Sequence, residues 1–223
     1  MIKFFQNIDE ILQWVFNKFD EKKFLKSVFK KKKITFVDIG TNYGSFYFQI
    51  SNFLNIKKGL LIDPYPKIKR DLGKEISIIE MALTNKKTVR NFYQHNISSH
   101  SSFYKRNNKL NLLSGIKKKT LVKCNSLDNI FFENDLKYID LLKIDAQHEE
   151  YKILEGSYKI LKKKLVNVIK IEINTISFYK KKKSNFYEII SILNKYNYKL
   201  FNISKIKYIN NEIALIDAYF KKN

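Results

Sequence analysis

Two strand-like runs near the end of the chain, Tyr198–Ile203 and Ile213–Phe220, are joined by a short connection that turns around Asn210-Asn211. Strands connected so tightly pair antiparallel, because a parallel pair needs a crossover of a dozen or more residues. The rest of the chain has the opposite character. Apolar runs at Ile34–Ile39, Gly59–Asp63, Ile76–Glu80, Ile139–Asp145 and Val166–Ile173 alternate with helical stretches near 44–55, 66–74, 149–163 and 185–196. Such alternation implies right-handed crossovers and parallel strands. The expectation is an α/β domain with a mostly parallel seven-stranded sheet, an antiparallel hairpin at its end, and helices on both faces.

Two regions stand apart from this pattern. Residues 1–33 read as an N-terminal amphipathic helical extension, with Phe4, Phe5, Ile8, Ile11, Leu12, Val15, Phe16 and Phe19 at helical spacing. Its lysines leave room for peripheral contact with a membrane surface. Residues 34–223 form the domain proper. Within it, 84–123 is an insertion with short β-like runs at Val89–Tyr93 and Thr120–Lys123 around the polar stretch "HNISSHSSFYKRNN". Long polar excursions in compact domains are often functional, so this one is expected on the substrate side. Asp9, Glu10, Asp20 and Glu21 interrupt the N-terminus, which therefore lacks the apolar core of a signal peptide. Cys124 is the single cysteine, which excludes a disulfide framework. A cytoplasmic location is expected.

The formal charge of +22 raises the question of nucleic acid. Only Arg70, Arg90 and Arg106 are arginines, so 40 of the 43 basic residues are lysine. Dedicated readers of phosphate and base edges lean on arginine's planar fork. Placement points the same way. Lys30–Lys33 and Lys162–Lys164 precede strands, and only Lys180–Lys183 follows one. The charge is read as mostly solvated surface, with no specific nucleic-acid partner.

Ligands of open parallel sheets bind beyond the carboxyl ends of the strands. Polar residues fall there repeatedly: Asp38, Asp63, Glu80, then Asp145, Gln147 and His148, then Glu172 and Asn174. The first strand runs into "DIGTNYG", residues 38–44, which spends two of the chain's six glycines, Gly40 and Gly44. This differs from the G-x-G-x-x-G loop that cradles a pyrophosphate. An acid ahead of the loop repels phosphate and suits a cationic ligand. S-adenosyl-L-methionine, with a sulfonium and an amino group, is such a ligand. Gly40 would let the backbone approach it, and Asp63 is placed to accept from both ribose hydroxyls. Loop, Asp63 and terminal hairpin together point to a Rossmann-like class I methyltransferase fold.

"FVDIGTNYGSF", "LLIDPYP", "IIEMALTNKK", "VKCNSLDNI" and "YIDLLKIDAQHEEYKILEGSYKIL" followed by "VIKIEIN" resemble the FkbM-type methyltransferase family, over about residues 34–175. The resemblance implies enzymes dependent on S-adenosyl-L-methionine, most of which methylate hydroxyl oxygens of sugars, glycans and related small molecules. It assigns the acid-x-Gly-x-Asn-x-Gly loop to Asp38, Gly40, Asn42 and Gly44, with Thr41 and Tyr43 between them. Asp63 with Pro64 meets its ribose binder, Leu127 with Asp128 its leucine-aspartate pair, and Lys143, Ile144, Asp145 and Glu150 its strand-end block. Met81 and Ala82 would complete the cofactor wall. Ser101, Ser102 and Lys143 would face the acceptor.

The strand-end block departs from the family at two positions. Gln147 stands where a glutamate is usual, and His148 where a glycine is usual. A hydroxyl acceptor needs help losing its proton. Asp145, His148 and Glu172 are the catalytic candidates. A divalent cation on Asp145 and Glu172 would be another route, but no metal site is expected. Two rival readings remain: an RNA methyltransferase, and a non-catalytic cofactor-binding module of the same fold.

Overall fold

The computed structural model describes residues 20–30, 32–106, 115–180 and 184–223. Seven strands build the main sheet: β1 (Lys33–Ile39), β2 (Asn55–Asp63), β3 (Ile76–Glu80), β7 (Ile139–Ile144), β8 (Val166–Asn174), β9 (Tyr198–Ile209) and β10 (Glu212–Lys222). Their spatial order is β3-β2-β1-β7-β8-β10-β9. The first five pair in parallel, whereas β10 is antiparallel to both β8 and β9. Asn210 and Asn211, at φ 50° and 62°, make the turn between β9 and β10. Positive φ at both central residues is what a tight hairpin turn requires, and asparagine tolerates it.

The central strands β1, β7 and β8 are buried on both faces, and their period-2 alternation feeds two cores. Val37, Leu60, Leu142, Ile169 and Ala218 point to one face, where they pack with α3 (Leu127–Glu133), α4 (Glu150–Glu155), α5 (Tyr158–Lys162) and α6 (Phe186–Lys195). Phe36, Leu61, Leu141, Val168 and Tyr219 point to the other face. There they meet Leu25 and Phe29 of α1 (residues 20–29) and Phe46, Tyr47 and Ile50 of α2 (Ser45–Ser51). From residue 20 onward the N-terminal segment is thus part of the domain core. The apolar positions Phe4 to Phe19 lie outside the described residues.

Several local expectations are corrected or refined. The stretch 66–74 carries no helix. It begins beside Pro64 and Pro66, and the Lys67 amide donates to Asn42 O at 2.8 Å, so its backbone serves the β1 loop instead of a helical ladder. The stretch 149–163 is two short helices, α4 and α5, broken at Gly156-Ser157. Asp128, on the unforeseen helix α3, accepts from the Lys159 and Ile160 amides at 2.8 and 3.0 Å and so caps α5. The insertion forms its own sheet from β4 (Ala82–Leu83), β5 (Thr88–His95) and β6 (Ile116–Asn125), in the order β4-β6-β5. Among the described residues, no helix is long and apolar enough to cross a membrane.

Candidate active site

The β1 loop is built by short-range backbone bonds and one close approach. The Gly40 amide donates to Ile62 O at 2.8 Å, and the Gly44 amide donates to Thr41 O at 2.7 Å. Gly40 sits at φ +77°, and a Cβ there would lie 1.8 Å from the carbonyl oxygen of Asp145. Glycine is demanded here by the packing of the β1 loop on the β7 strand end, a contact within the protein.

Asp38 is buried and internally satisfied. Its Oδ2 accepts from Thr41 Oγ1 at 3.0 Å, and its Oδ1 accepts from Lys143 Nζ at 3.0 Å. Lys143 Nζ also lies 3.5 Å from Asp145 Oδ2. Burial works against the lysine's charge, but Asp38 and Asp145 outweigh it and hold its pKa above the ordinary value. Asp38, Thr41 and Lys143 thus form a buried brace under the loop, and Lys143 is not among the residues lining the cavity that Ser101 lines.

Asp63 has two duties. Its Oδ2 accepts from the Asn42 amide at 3.0 Å and its Oδ1 from the Tyr65 amide at 2.7 Å. Burial raises its pKa, and these two amide bonds oppose that rise. Each carboxylate oxygen has a second lone pair, and Asp63 lines the main cavity. The walls beside it are apolar: Ile39, Ile62, Met81, Ala82, Leu83 and Phe92. An apolar slot with an acid at its edge matches a nucleoside, with rings against the aliphatic wall and ribose hydroxyls on Asp63.

The opposite wall of the cavity comes from the insertion. Gln94, His95, Asn96, Ser98, Ser99 and Ser101 line it. His95, the first residue of the polar stretch "HNISSHSSFYKRNN", is buried because β5 turns it inward. Ser101 Oγ accepts from the His95 amide at 3.1 Å. Ser102 is behind the wall, where its hydroxyl donates to Gln147 O at 2.6 Å and fastens the insertion to the β7 strand end.

At that strand end Asp145 faces the cavity, with its side chain 31% exposed. Gln147 Nε2 donates to Asp145 Oδ1 at 3.0 Å and to Glu172 Oε1 at 3.2 Å, while its Oε1 accepts from Tyr179 OH at 2.8 Å. The amide therefore bridges the two carboxyls. Burial, with Asp145 and Asp217 nearby, holds Glu172 well above the usual carboxylate range. His148 is buried, with its ring centroid 5.6 Å from Tyr179 and 6.3 Å from Tyr104. It lines a separate shallow cleft with Tyr151, Asn185 and Glu188.

The profile of the Methyltransferase FkbM domain matches residues 38–200, more than two thirds of the chain. The chain belongs to the FkbM methyltransferase family. Its fold is also that of the FkbM methyltransferase from Methylobacillus flagellatus KT, at TM-score 0.53 and 12% identity over 84% of this chain and 43% of that one. A putative hemolysin from Lactococcus lactis is similar at TM-score 0.51 and 12% identity, over 90% of this chain and 84% of that one. This FkbM chain thus spans less than half the length of the M. flagellatus protein. No curated protein matches the sequence significantly. The apolar slot beside Asp63 has the lining that the adenosine half of a nucleoside cofactor would need.

Sequence reading passed over two features of this FkbM site. Glu149 is buried and accepts from Thr84 Oγ1 at 2.5 Å, from Tyr104 OH at 2.6 Å and from the Arg90 guanidinium. Tyr179 anchors Gln147, and only its place after the fifth strand hinted at this.

Glu150 supplies a pH test. Its Oε1 accepts from the Ala146 and His148 amides at 2.9 and 3.1 Å. Burial, reinforced by Asp145, pushes its carboxyl from 4.5 up to about 7, against the pull of those amide bonds. The folded state then holds this proton more tightly than the unfolded chain. Its stabilisation is complete below pH 4.5 and is lost as pH rises through about 7. A shift of this size corresponds to roughly 3–4 kcal/mol. Glu150→Gln keeps the acceptor, so urea unfolding should show a gain of about that size at pH 8 and little change at pH 4. Equal effects at the two pH values would contradict the assignment.

Proposed function

We propose that this enzyme transfers the methyl group of S-adenosyl-L-methionine to a hydroxyl oxygen of a sugar or sugar-derived small molecule. One observation carries the reading: the cavity wall facing the nucleoside slot is lined by neutral hydrogen-bonding side chains, Gln94, Asn96, Ser98, Ser99 and Ser101, beside His95. Carboxamides and hydroxyls pair with the donor-acceptor pattern of sugar hydroxyls. The two lysines of the cavity, Lys67 and Lys117, belong to its rim.

The donor supplies an electrophilic methyl carbon on sulfur, which the acceptor oxygen displaces in line. This chain's residues align the partners and take up the proton. Asp63 and the Gly40–Asn42 backbone hold the nucleoside end, with the Asp38–Thr41–Lys143 brace beneath. Asp145 is the catalytic residue, since its carboxylate reaches the cavity and accepts the hydroxyl proton. Lys143 and Gln147 aim it, and Glu172 is held by the same amide. His148 is given no step, because it opens to another cleft.

The test is turnover with a mixed pool of sugars and glycosides, reading new O-methyl signals by NMR. Asp145→Asn should lower kcat by about 10²-fold while binding of S-adenosylhomocysteine stays within about threefold of wild type. Methylation at nitrogen or carbon would contradict the reading, as would undiminished turnover in the variant.

A further inference from the structure

A groove runs along the outside of the β1 loop, between α1, α2 and the 67–70 segment. Lys22, Lys67, Lys69 and Arg70 line it, together with Tyr43, Phe48 and Phe53. No carboxylate lines it among the described residues. None of its four cations makes an ion pair among those residues. This is unlike the buried lysines of the rim, where Lys143 pairs with Asp38 and Asp145, and Lys170 pairs with Glu21 and Asp217.

Three of the four cations are also held in place. Lys22 Nζ lies 5.7 Å from the centroid of Phe53, Lys67 Nζ 5.7 Å from Tyr43, and the Arg70 guanidinium 5.1 Å from Phe48. Cation–π contacts of this kind limit the freedom of long side chains and lower the entropy lost on binding an anion. Lys67 belongs to both this groove and the main cavity. An anion in the groove therefore sits at the mouth of the pocket where the methyl group is transferred.

We propose that this groove binds a phosphate or diphosphate arm of the acceptor, so that the substrate is a phosphate-activated sugar whose hydroxyl reaches the main cavity past Lys67. The inference rests on the sugar-hydroxyl reading above. Four clustered cations without acids match two adjacent phosphates. Tyr43, 51% exposed, offers a ring face beside them. Lys67 and Lys69 stand close enough to help depress the Tyr43 phenol's pKa, after its hydrogen bond with Ser98. A nucleic-acid strand is the less fitting occupant, since Arg70 is the groove's one planar fork.

Calorimetry on the full chain at low salt tests this with five probes: S-adenosylhomocysteine, inorganic diphosphate, UDP-glucose, glucose and a short oligouridine. Diphosphate and UDP-glucose should both bind the wild type, and glucose alone should not. The exposed pair Lys69→Glu with Arg70→Glu should weaken both by at least about tenfold, with S-adenosylhomocysteine unaffected. If S-adenosylhomocysteine binds but neither diphosphate probe does, or if the double variant binds them unchanged, the groove proposal falls and the sugar reading survives. Oligouridine that binds more tightly than UDP-glucose and displaces it would overturn the proposal in favour of RNA. Failure of S-adenosylhomocysteine to bind the wild type would overturn the donor site and this proposal together.

Discussion

Gly40→Ala is expected to abolish S-adenosylhomocysteine binding and to cost about 2–5 kcal/mol of stability, the sum of a left-handed backbone penalty and an overpacking penalty. The collision is severe because the neighbour is backbone: the Asp145 carbonyl would lie 1.8 Å from the new carbon. A flexible side chain could swing away, but this carbonyl belongs to the strand end, where the Asp145 amide is bonded to Ile39 O at 3.0 Å. Relief requires moving the β1 loop off β7, which displaces the Asn42 amide from Asp63 and opens the nucleoside slot. Urea unfolding and calorimetry read the two effects separately. An alanine variant that binds S-adenosylhomocysteine normally would show that the loop is not packed as described.

Glu149→Ala should cost about 3–5 kcal/mol, the usual consequence of removing one partner from a buried ionic cluster. The carboxylate is the hub through which the insertion sheet is fixed to the main domain. Arg90 reaches it from β5, Tyr104 from the following segment and Thr84 from the end of β4. Arg90 is itself packed 3.9 Å from the ring centroid of Phe103. Without Glu149 the guanidinium is left part-buried with no counter-charge. Hydrogen exchange should accelerate most across β5 and β6 and least in β7 and β8, because only the former lose their anchor. A loss under about 1 kcal/mol, or uniform exchange, would contradict this role.

The central strands were legible because they are buried on both faces and so read as continuous apolar runs bounded by turns, whereas β3 and β9 are mostly exposed. The closing hairpin was legible from Asn210-Asn211. The missing helix at 66–74 shows the limit of that reading: helical spacing was present, but the Lys67 amide is claimed by Asn42, distant in sequence. Site reading met the same limit. Asp38 suggested an acid aimed at a cationic ligand. Its charge is in fact matched by Lys143, 105 positions away, a pairing that local spacing cannot reveal. His95 looked like a loop residue because the β5 pattern that turns it inward is short and polar. The role of Glu149 is hidden from local spacing, since its partners Arg90 and Tyr104 come from the insertion. Asp63 and Asp145 were legible because the ends of parallel strands share one rim.

Titration of the full chain with S-adenosylhomocysteine tests the central claim most directly. The account predicts one site per chain in the wild type, and in Asp63→Ala a loss of affinity of at least about tenfold, since the slot loses both its ribose acceptor and the anchor of the Asn42 amide. No binding by the wild type, or equal binding by the variant, would contradict it.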